Sequence, residues 1–390
     1  MIGFENAALV LLLILVLGLL APDLFRRFRI PYITAILIAG AVFGPYGLGY
    51  VRSNEVVEFF GFLGSAFLLM MAGFEVKFES FEMFGRRVVL MAFINASIPF
   101  IVGLGIMRFF GYDWFSSLLV GVIFISSSLA IVSSSLTSIK MLKTDIGKEI
   151  MSAVVIEDVF SLLLLAVLLQ TISPITEIPL PQYFFVLLAS VFLLFKFLPY
   201  ILKFALRYIR RYKKNVEEDY EREIHVVVVL LIAVLLYFSW IGVHPIVAAF
   251  IVGLLLSRVV KSEVLIHKIH TLSYGLFVPV FAFIVGTKLD IGVFTKLESG
   301  DVLMVSLILG LIISKLVSGF IAGRLVGFSS LHSWMFGVAS TAQLTTTLAV
   351  VFIASGFFFF NSTLVTAIIL LTIVTSVFSP IVLSLLARKQ

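Results

Sequence analysis

Long apolar runs, each broken by a short cluster of charges, Gly or Pro, recur from one end of the chain to the other. A run of about 20 apolar residues is enough to span a bilayer as a helix. The breaks predict thirteen such helices, near 5–22, 32–49, 56–74, 86–109, 114–137, 148–171, 182–208, 224–240, 244–259, 271–287, 302–326, 331–355 and 362–386. The expected fold class is therefore an all-α polytopic membrane protein. The first run has no basic residues ahead of it, and Arg26, Arg27 and Arg29 follow it, so it reads as a retained helix rather than a cleaved signal peptide.

Composition agrees: 61% of the 390 residues are apolar and only 13% charged, too little polar surface to coat a soluble domain. Charge sets an orientation. Alternate connections carry 21 of the 28 Lys and Arg residues, including Lys140, Lys143, Arg207, Arg258, Lys261 and Arg324, whereas the opposite connections carry four: Arg52, Arg108, Lys288 and Lys296. By the positive-inside rule the rich set is cytoplasmic, with the N-terminus outside and the C-terminus inside. The excess of 28 basic over 22 acidic residues thus marks loops, and no nucleic-acid partner is expected. Lys196, Lys203 and Lys315 fall within apolar runs; the first two lie toward the inner end of their helix and snorkel. The chain has no cysteine, which excludes disulfides, thiolate metal sites and cysteine nucleophiles.

Three segments recur at an offset close to 213 residues. IPYITAILIAG (30–40) resembles VHPIVAAFIVG (243–253), MAGFEVKF (71–78) resembles IVGTKLDI (284–291), and SSSLAIVSS (126–134) resembles STAQLTTTL (340–348). Seven predicted helices fill that interval, an odd number, so the second copy enters the membrane from the opposite face. Two inverted six-helix repeats are the arrangement of secondary transporters. The seventh helix and the charged stretch 210–223, read as a solvated cytoplasmic loop, would join them.

Candidate chemistry lies deep in the apolar runs. Glu157 and Asp158 sit mid-helix in MSAVVIEDVFSLLLLAVLL, where one charge costs roughly 2.5 to 3.5 kcal/mol on insertion scales. Consecutive positions are about 100° apart on a helix, so one carboxylate faces a cavity while the other faces a neighbour. Lys315 is the obvious countercharge. A buried ion pair that only orients helices would leave the second acid unexplained. Ser126, Ser127, Ser128, Ser133, Ser134 and Ser135 interrupt the fifth predicted helix, and Ser340, Thr341, Gln343, Thr345, Thr346 and Thr347 interrupt the twelfth, its repeat mate. Paired interruptions mark either broken helices, whose free carbonyls coordinate a cation at the midplane, or intact helices packed through small residues. Asn95, four residues before Pro99, reads as the filler of a kink, and Glu75 and Lys77 as interfacial. His267 and His270 read as sharing a loop face. No Ser/His/Asp set, glycine-rich phosphate cradle or GxGD motif is present, so neither an enzyme nor a cofactor is expected.

These residues together resemble the cation/proton antiporter 2 family over nearly the whole chain, through IPYITAILIAGAVFGP, HPIVAAFIVGLLLS, VVIEDVF and ISKLVSG. The resemblance implies crossed broken helices, with scaffold and dimerisation helices in 1–80 and 224–295, core helices in 81–175 and 296–390, and a linker over 176–223. It implies a homodimer in the prokaryotic cell membrane, in contact with lipid. It places Asp158 at the ion-binding aspartate, Glu157 at the preceding acidic position and Lys315 at the conserved lysine. Ser127, Ser128, Thr345, Thr346 and Gln343 become candidate cation-coordinating residues. Two departures stand out. Glu157 occupies a position that is Asp in electrogenic sodium/proton members, Asn in electroneutral ones and Gln in glutathione-gated potassium exporters. ASTAQLTTTLA lacks the charged PRGE-like segment of relatives. The expected activity is electrogenic exchange of Na+ for H+ by alternating access. A potassium/proton exchanger or potassium efflux protein is one alternative, and a sodium-coupled organic solute symporter is another, of a different class.

Overall fold

The computed structural model of the chain describes residues 2–26, 30–51, 54–76, 85–172, 179–211, 216–292, 299–357 and 360–388. Lys77 and the loop cations Arg27, Arg29, Arg52, Lys213, Lys214, Lys296 and Lys389 lie outside them. The described chain forms helices α1 (Ile2–Arg26), α2 (Tyr32–Phe43), α3 (Glu55–Phe74), α4 (Arg86–Phe109), α5 (Trp114–Ile125), α6 (Leu129–Ser138), α7 (Asp145–Ile172), α8 (Leu180–Arg211), α9 (Val216–Trp240), α10 (Pro245–Val259) and α11 (Glu263–Leu272). A π-helical turn (Ser273–Phe277) leads into α12 (Val278–Thr287), followed by α13 (Ser299–Leu325), α14 (Ser330–Ser340), α15 (Thr345–Ala354) and α16 (Ser362–Ala387). Counting α5 with α6, α11 with α12 and α14 with α15 as single passes, 10 spans among the described residues are long and apolar enough to cross a membrane, and three shorter apolar helices join them. The protein is an integral membrane protein.

Both interrupted segments are broken. Ser126 and Ser128 are extended, with ψ of 159° and 106°, and Leu344 leaves the helical region at φ −159°. Three helix boundaries differ from the sequence reading by more than a turn and a half. α2 stops at Phe43 because Gly44 precedes Pro45 and turns extended at ψ 178°. α9 begins at Val216, so part of the charged stretch read as loop is helix. Its acids fall in the first turns, where they suit the helix dipole. α11 begins at Glu263, with Ser262 capping the Leu265 amide at 3.4 Å, so His267 and His270 stand on a helix rather than a loop.

Two sets of helices pack within themselves. α3 lies against α10 and α12, and α2 against α12. At the crossings glycine is required: a Cβ on Gly73 would strike Phe250 O and one on Gly253 would strike Met70 O. Gly40 and Gly286 have the same relation to Phe283 O and Leu37 O. Such small-residue crossings let helix backbones touch where no hydrophobic effect drives them together. In the second set α4 packs on α5, α7 and α13, and α13 on α14 and α16. The two breaks meet inside this second set.

Candidate functional site

The breaks in α5/α6 and α14/α15 are joined to each other. Ser128 N donates to Ala342 O at 2.7 Å, and Ser127 Oγ approaches Ser340 O at 2.8 Å. Gln343 Nε2 donates to Ser126 O at 2.6 Å while its Oε1 accepts from Ser126 Oγ at 3.2 Å and from Thr347 Oγ1. The Gln343 amide thus satisfies a carbonyl that the end of α5 leaves without a helical partner. It does so without adding charge.

Lys315, on α13, is fully buried and reaches the same place. Its Nζ donates to Ile125 O at 2.7 Å and lies 2.9 Å from Glu157 Oε2, with Asn95 O and Ser127 Oγ each at 3.3 Å. A cation at the C-terminal end of α5 complements that helix's dipole. The other oxygen of Glu157 accepts from Asn95 Nδ2 at 2.8 Å. Asn95 Oδ1 in turn accepts from Ser318 Oγ at 2.7 Å. Both oxygens of Glu157 are therefore held, one by a charge and one by an amide.

Asp158 is equally buried but held differently. Its Oδ1 accepts from Ser127 N at 3.2 Å, and its Oδ2 has no hydrogen-bond partner among the described residues. Two hydroxyls beside the breaks share that condition, Ser128 Oγ and Thr345 Oγ1. Buried polar atoms are nearly always paired; these three oxygens are exceptions at the breaks and the acid beside them, and others, such as Ser135 Oγ, Ser152 Oγ and Glu75 Oε2, lie elsewhere among the described residues.

The structure thus gathers Glu157, Lys315 and Ser127 into one hydrogen-bonded group and places Asp158 beside it. Gln343 fastens the crossing. Ser128 and Thr345 contribute unsatisfied hydroxyls, and Thr346 is buried at the first turn of α15. Asn95 is the residue the sequence reading missed: expected to fill a kink before Pro99, it donates to Glu157 instead. Its burial depth equalled that of the acids, and this was the available signal. Glu75, read as interfacial, accepts from Tyr274 OH at 3.3 Å at the end of α3. No cluster of three or more His, Cys, Asp or Glu side chains capable of holding a metal occurs among the described residues.

Several curated proteins and a solved structure are similar to this chain. The chain is 30% identical over 386 residues to "Probable Na(+)/H(+) antiporter 3" of Methanocaldococcus jannaschii, covering 97% of this chain and 96% of that one. It is 24% identical to a "Na(+)/H(+) antiporter" of Enterococcus hirae, over 97% and 98% of the two chains. It is 23% identical to the "Na(+)/H(+)-K(+) antiporter GerN" of Bacillus cereus, over 94% and 93%. The solved structure of the sodium proton antiporter MjNhaP1 from Methanocaldococcus jannaschii at pH 8 superposes with a TM-score of 0.77 over 100% of this chain and 99% of that chain, at 17% identity, and so shares the fold. The model of the family described as sodium/hydrogen exchanger, transmembrane, matches residues 11–389, and the chain belongs to that family.

Proposed function

We propose that this protein exchanges a monovalent cation, Na+ before others, for protons, with Asp158 as the shared binding group. The observation that carries this reading is the buried Asp158, whose Oδ1 accepts from Ser127 N at the break between α5 and α6 while its Oδ2 is unpaired among the described residues; the hydroxyls of Ser128 and Thr345, at the two breaks, are unpaired as well. One formal negative charge with neutral oxygens suits a hard monovalent ion, and the end of a broken helix adds carbonyls. A carboxylate cannot hold a proton and a cation well at once. Competition between them couples the two fluxes once the site is exposed alternately to the two faces.

The two packed sets support a division into a scaffold, 1–80 and 224–295, and a core, 81–175 and 296–390, joined by the linker 176–223. Inverted repetition is supported by the glycine crossings. Gly40 and Gly253 are 213 residues apart, as are Gly73 and Gly286, so the contact of α2 with α12 and that of α10 with α3 are repeat mates. A cavity of about 260 Å³ at the seam between the sets, lined by Phe62, Gln170, His244 and Phe352, fits an outer approach. Gln170 lies twelve residues beyond Asp158 on α7, about 18 Å along the axis, so the cavity stops short of the site. Orientation with the N-terminus outside, residence in a prokaryotic cell membrane and a homodimer complete the proposal.

K+ is the second candidate ion, favoured by the likeness to the Bacillus cereus protein whose name includes it. The test is transport in proteoliposomes carrying an internal pH dye, with Na+, K+, Li+ and organic solutes added in turn. Proton movement driven by one of the cations alone is expected. Solute-dependent sodium uptake without proton countertransport would overturn the reading.

A further inference from the structure

Away from the acidic pair, a second cavity of about 290 Å³ lies between the end of α8 and the turn joining α10 to α11. Lys203 and Arg207 line it from α8, and Lys261 and Ser262 from the turn. None of the three cations has a carboxylate within 4.0 Å among the described residues. Glu263, next in sequence to Ser262, is not part of the lining. Lys203 and Arg207 are four residues apart on one helix face, a like-charge spacing that opposes helix formation unless an anion relieves it. Lys261 faces the same cavity from a different element. Ser262 caps α11, so the positive end of that helix's dipole adds to the field there.

The floor is apolar: Leu206, Val260 and Leu265 are buried. Beside the cavity α8 turns a bare apolar surface outward, with Tyr200 and Phe204 each 72% exposed. The two features together describe an amphiphile. An inorganic anion would satisfy the cations and leave the adjacent aromatic surface unused, whereas a phospholipid satisfies both. The cavity also lies on the cation-rich side, which the positive-inside rule assigns to the cytoplasmic leaflet, where anionic lipids concentrate.

We propose that this cavity binds the headgroup of an anionic phospholipid, its phosphate against Lys203, Arg207 and Lys261 and its acyl chains along Tyr200 and Phe204. The bound lipid would clamp the linker helix α8 to the α10–α11 turn.

The test is thermal unfolding of delipidated protein in detergent with added phosphatidylglycerol, phosphatidylcholine of the same chains, or inorganic phosphate. Native mass spectrometry counts the lipid retained. The variants are Lys203→Gln/Arg207→Gln/Lys261→Gln, a control removing equal charge from other connections of that side (Lys140→Gln/Lys143→Gln/Arg388→Gln), and the charge-keeping Lys203→Arg/Lys261→Arg. Phosphatidylglycerol should raise the melting temperature of wild type, control and charge-keeping variant by roughly 5 °C at saturating excess, with one lipid retained in the gas phase. It should do neither for the triple Gln variant, and phosphatidylcholine should do neither for any. Equal stabilisation of wild type and triple variant by phosphatidylglycerol would overturn the proposal. So would inorganic phosphate matching the lipid, which would make this a free-anion site. Should the triple variant not fold, loss of retained lipid in Arg207→Gln against full retention in the charge-keeping variant supports the site, and full retention in both overturns it.

Discussion

Glu157 and Asp158 are adjacent in the chain and equally buried, yet Glu157 has both carboxylate oxygens bound, to Lys315 at 2.9 Å and Asn95 at 2.8 Å, while Asp158 keeps Oδ2 unpaired. The two acids therefore sit in different surroundings. The first is fixed on both oxygens, and the second keeps the free oxygen that the proposed exchangeable partner requires.

Asp158→Asn should abolish cation-driven proton flux while leaving the protein folded. The substitution removes the one formal charge not already compensated, and a buried charge is costly, so the melting temperature should hold or rise. Proteoliposome flux together with thermal unfolding checks both halves; near-normal flux would refute the assignment.

Lys315→Ala should destabilise the protein by about 3 to 5 kcal/mol, because it strands Glu157 without its countercharge and Ile125 O without its donor. Adding Glu157→Gln should restore part of that loss, since an amide needs no cation. Thermal unfolding of the two single variants and the double closes the cycle, and simple additivity would show that the pair does not interact.

Gln343→Ala should cost about 1 to 3 kcal/mol by leaving Ser126 O unpaired in a buried crossing. Ser128→Ala and Thr345→Ala should leave stability nearly unchanged but weaken apparent cation affinity in flux assays. The reverse pattern would move the ligands to the fastener and the fastener to the ligands.

Glu75 supplies a pH dependence. Burial pushes its carboxyl up to about 7 from an ordinary 4.5, with the Tyr274 hydroxyl pulling the other way. Between those values the folded protein binds more protons than the unfolded chain, so this group's contribution to stability falls as pH rises from about 4.5 to about 7 and is level above. Glu75→Gln should raise the melting temperature at pH 8 and leave it nearly unchanged at pH 4, as thermal unfolding across that range would show.

Electrogenicity separates two schemes. The ionised site carries two negative charges and one positive, and one Na+ brings it to zero. If Glu157 takes a second proton while Lys315 stays charged, two protons replace one Na+, and a 100 mV potential is worth roughly 2.3 kcal/mol per cycle. If Lys315 releases the second proton instead, the count is the same. Glu157→Gln should become electroneutral under the first scheme, which the retained acid pair favours, and stay electrogenic under the second. Wild-type flux indifferent to a valinomycin-imposed potential would defeat both.

What was legible in the sequence was whatever stood out against an apolar background. Glu157, Asp158 and Lys315 did so by charge, and the serine run at 126–128 by its density of hydroxyls. Asn95 did not, because an amide near Pro99 has a sufficient local explanation and no periodicity tells which neighbour α7 presents to it. The Gln343–Ser126 fastening joins residues 217 apart and is a product of the crossing alone. The starts of α9 and α11 were misplaced for an opposite reason. Their charged first turns lower the hydropathy that located every other helix, although Ser262 followed by Glu263 is a recognisable start.

The glycine crossings carry a mechanical consequence. Where α3 meets α10 and α2 meets α12, backbone presses on backbone, and no side chain stands between them to change rotamer and absorb a displacement. Contacts between the two sets run through side chains: Phe281 on α12 meets Phe352 on α15 edge to face, with ring centroids 5.7 Å apart, and the hydroxyls of Thr34 on α2 and Ser376 on α16 lie 3.0 Å apart. Aromatic rings can slide and tilt at little cost, whereas abutting peptide groups cannot. Compliance in this molecule is thus unevenly distributed, stiff within the glycine-bound frame and softer along the boundary where side chains meet. On the proposed reading of Asp158 as the ion site, a force arising there would be relieved as shear along that boundary rather than as deformation of the frame.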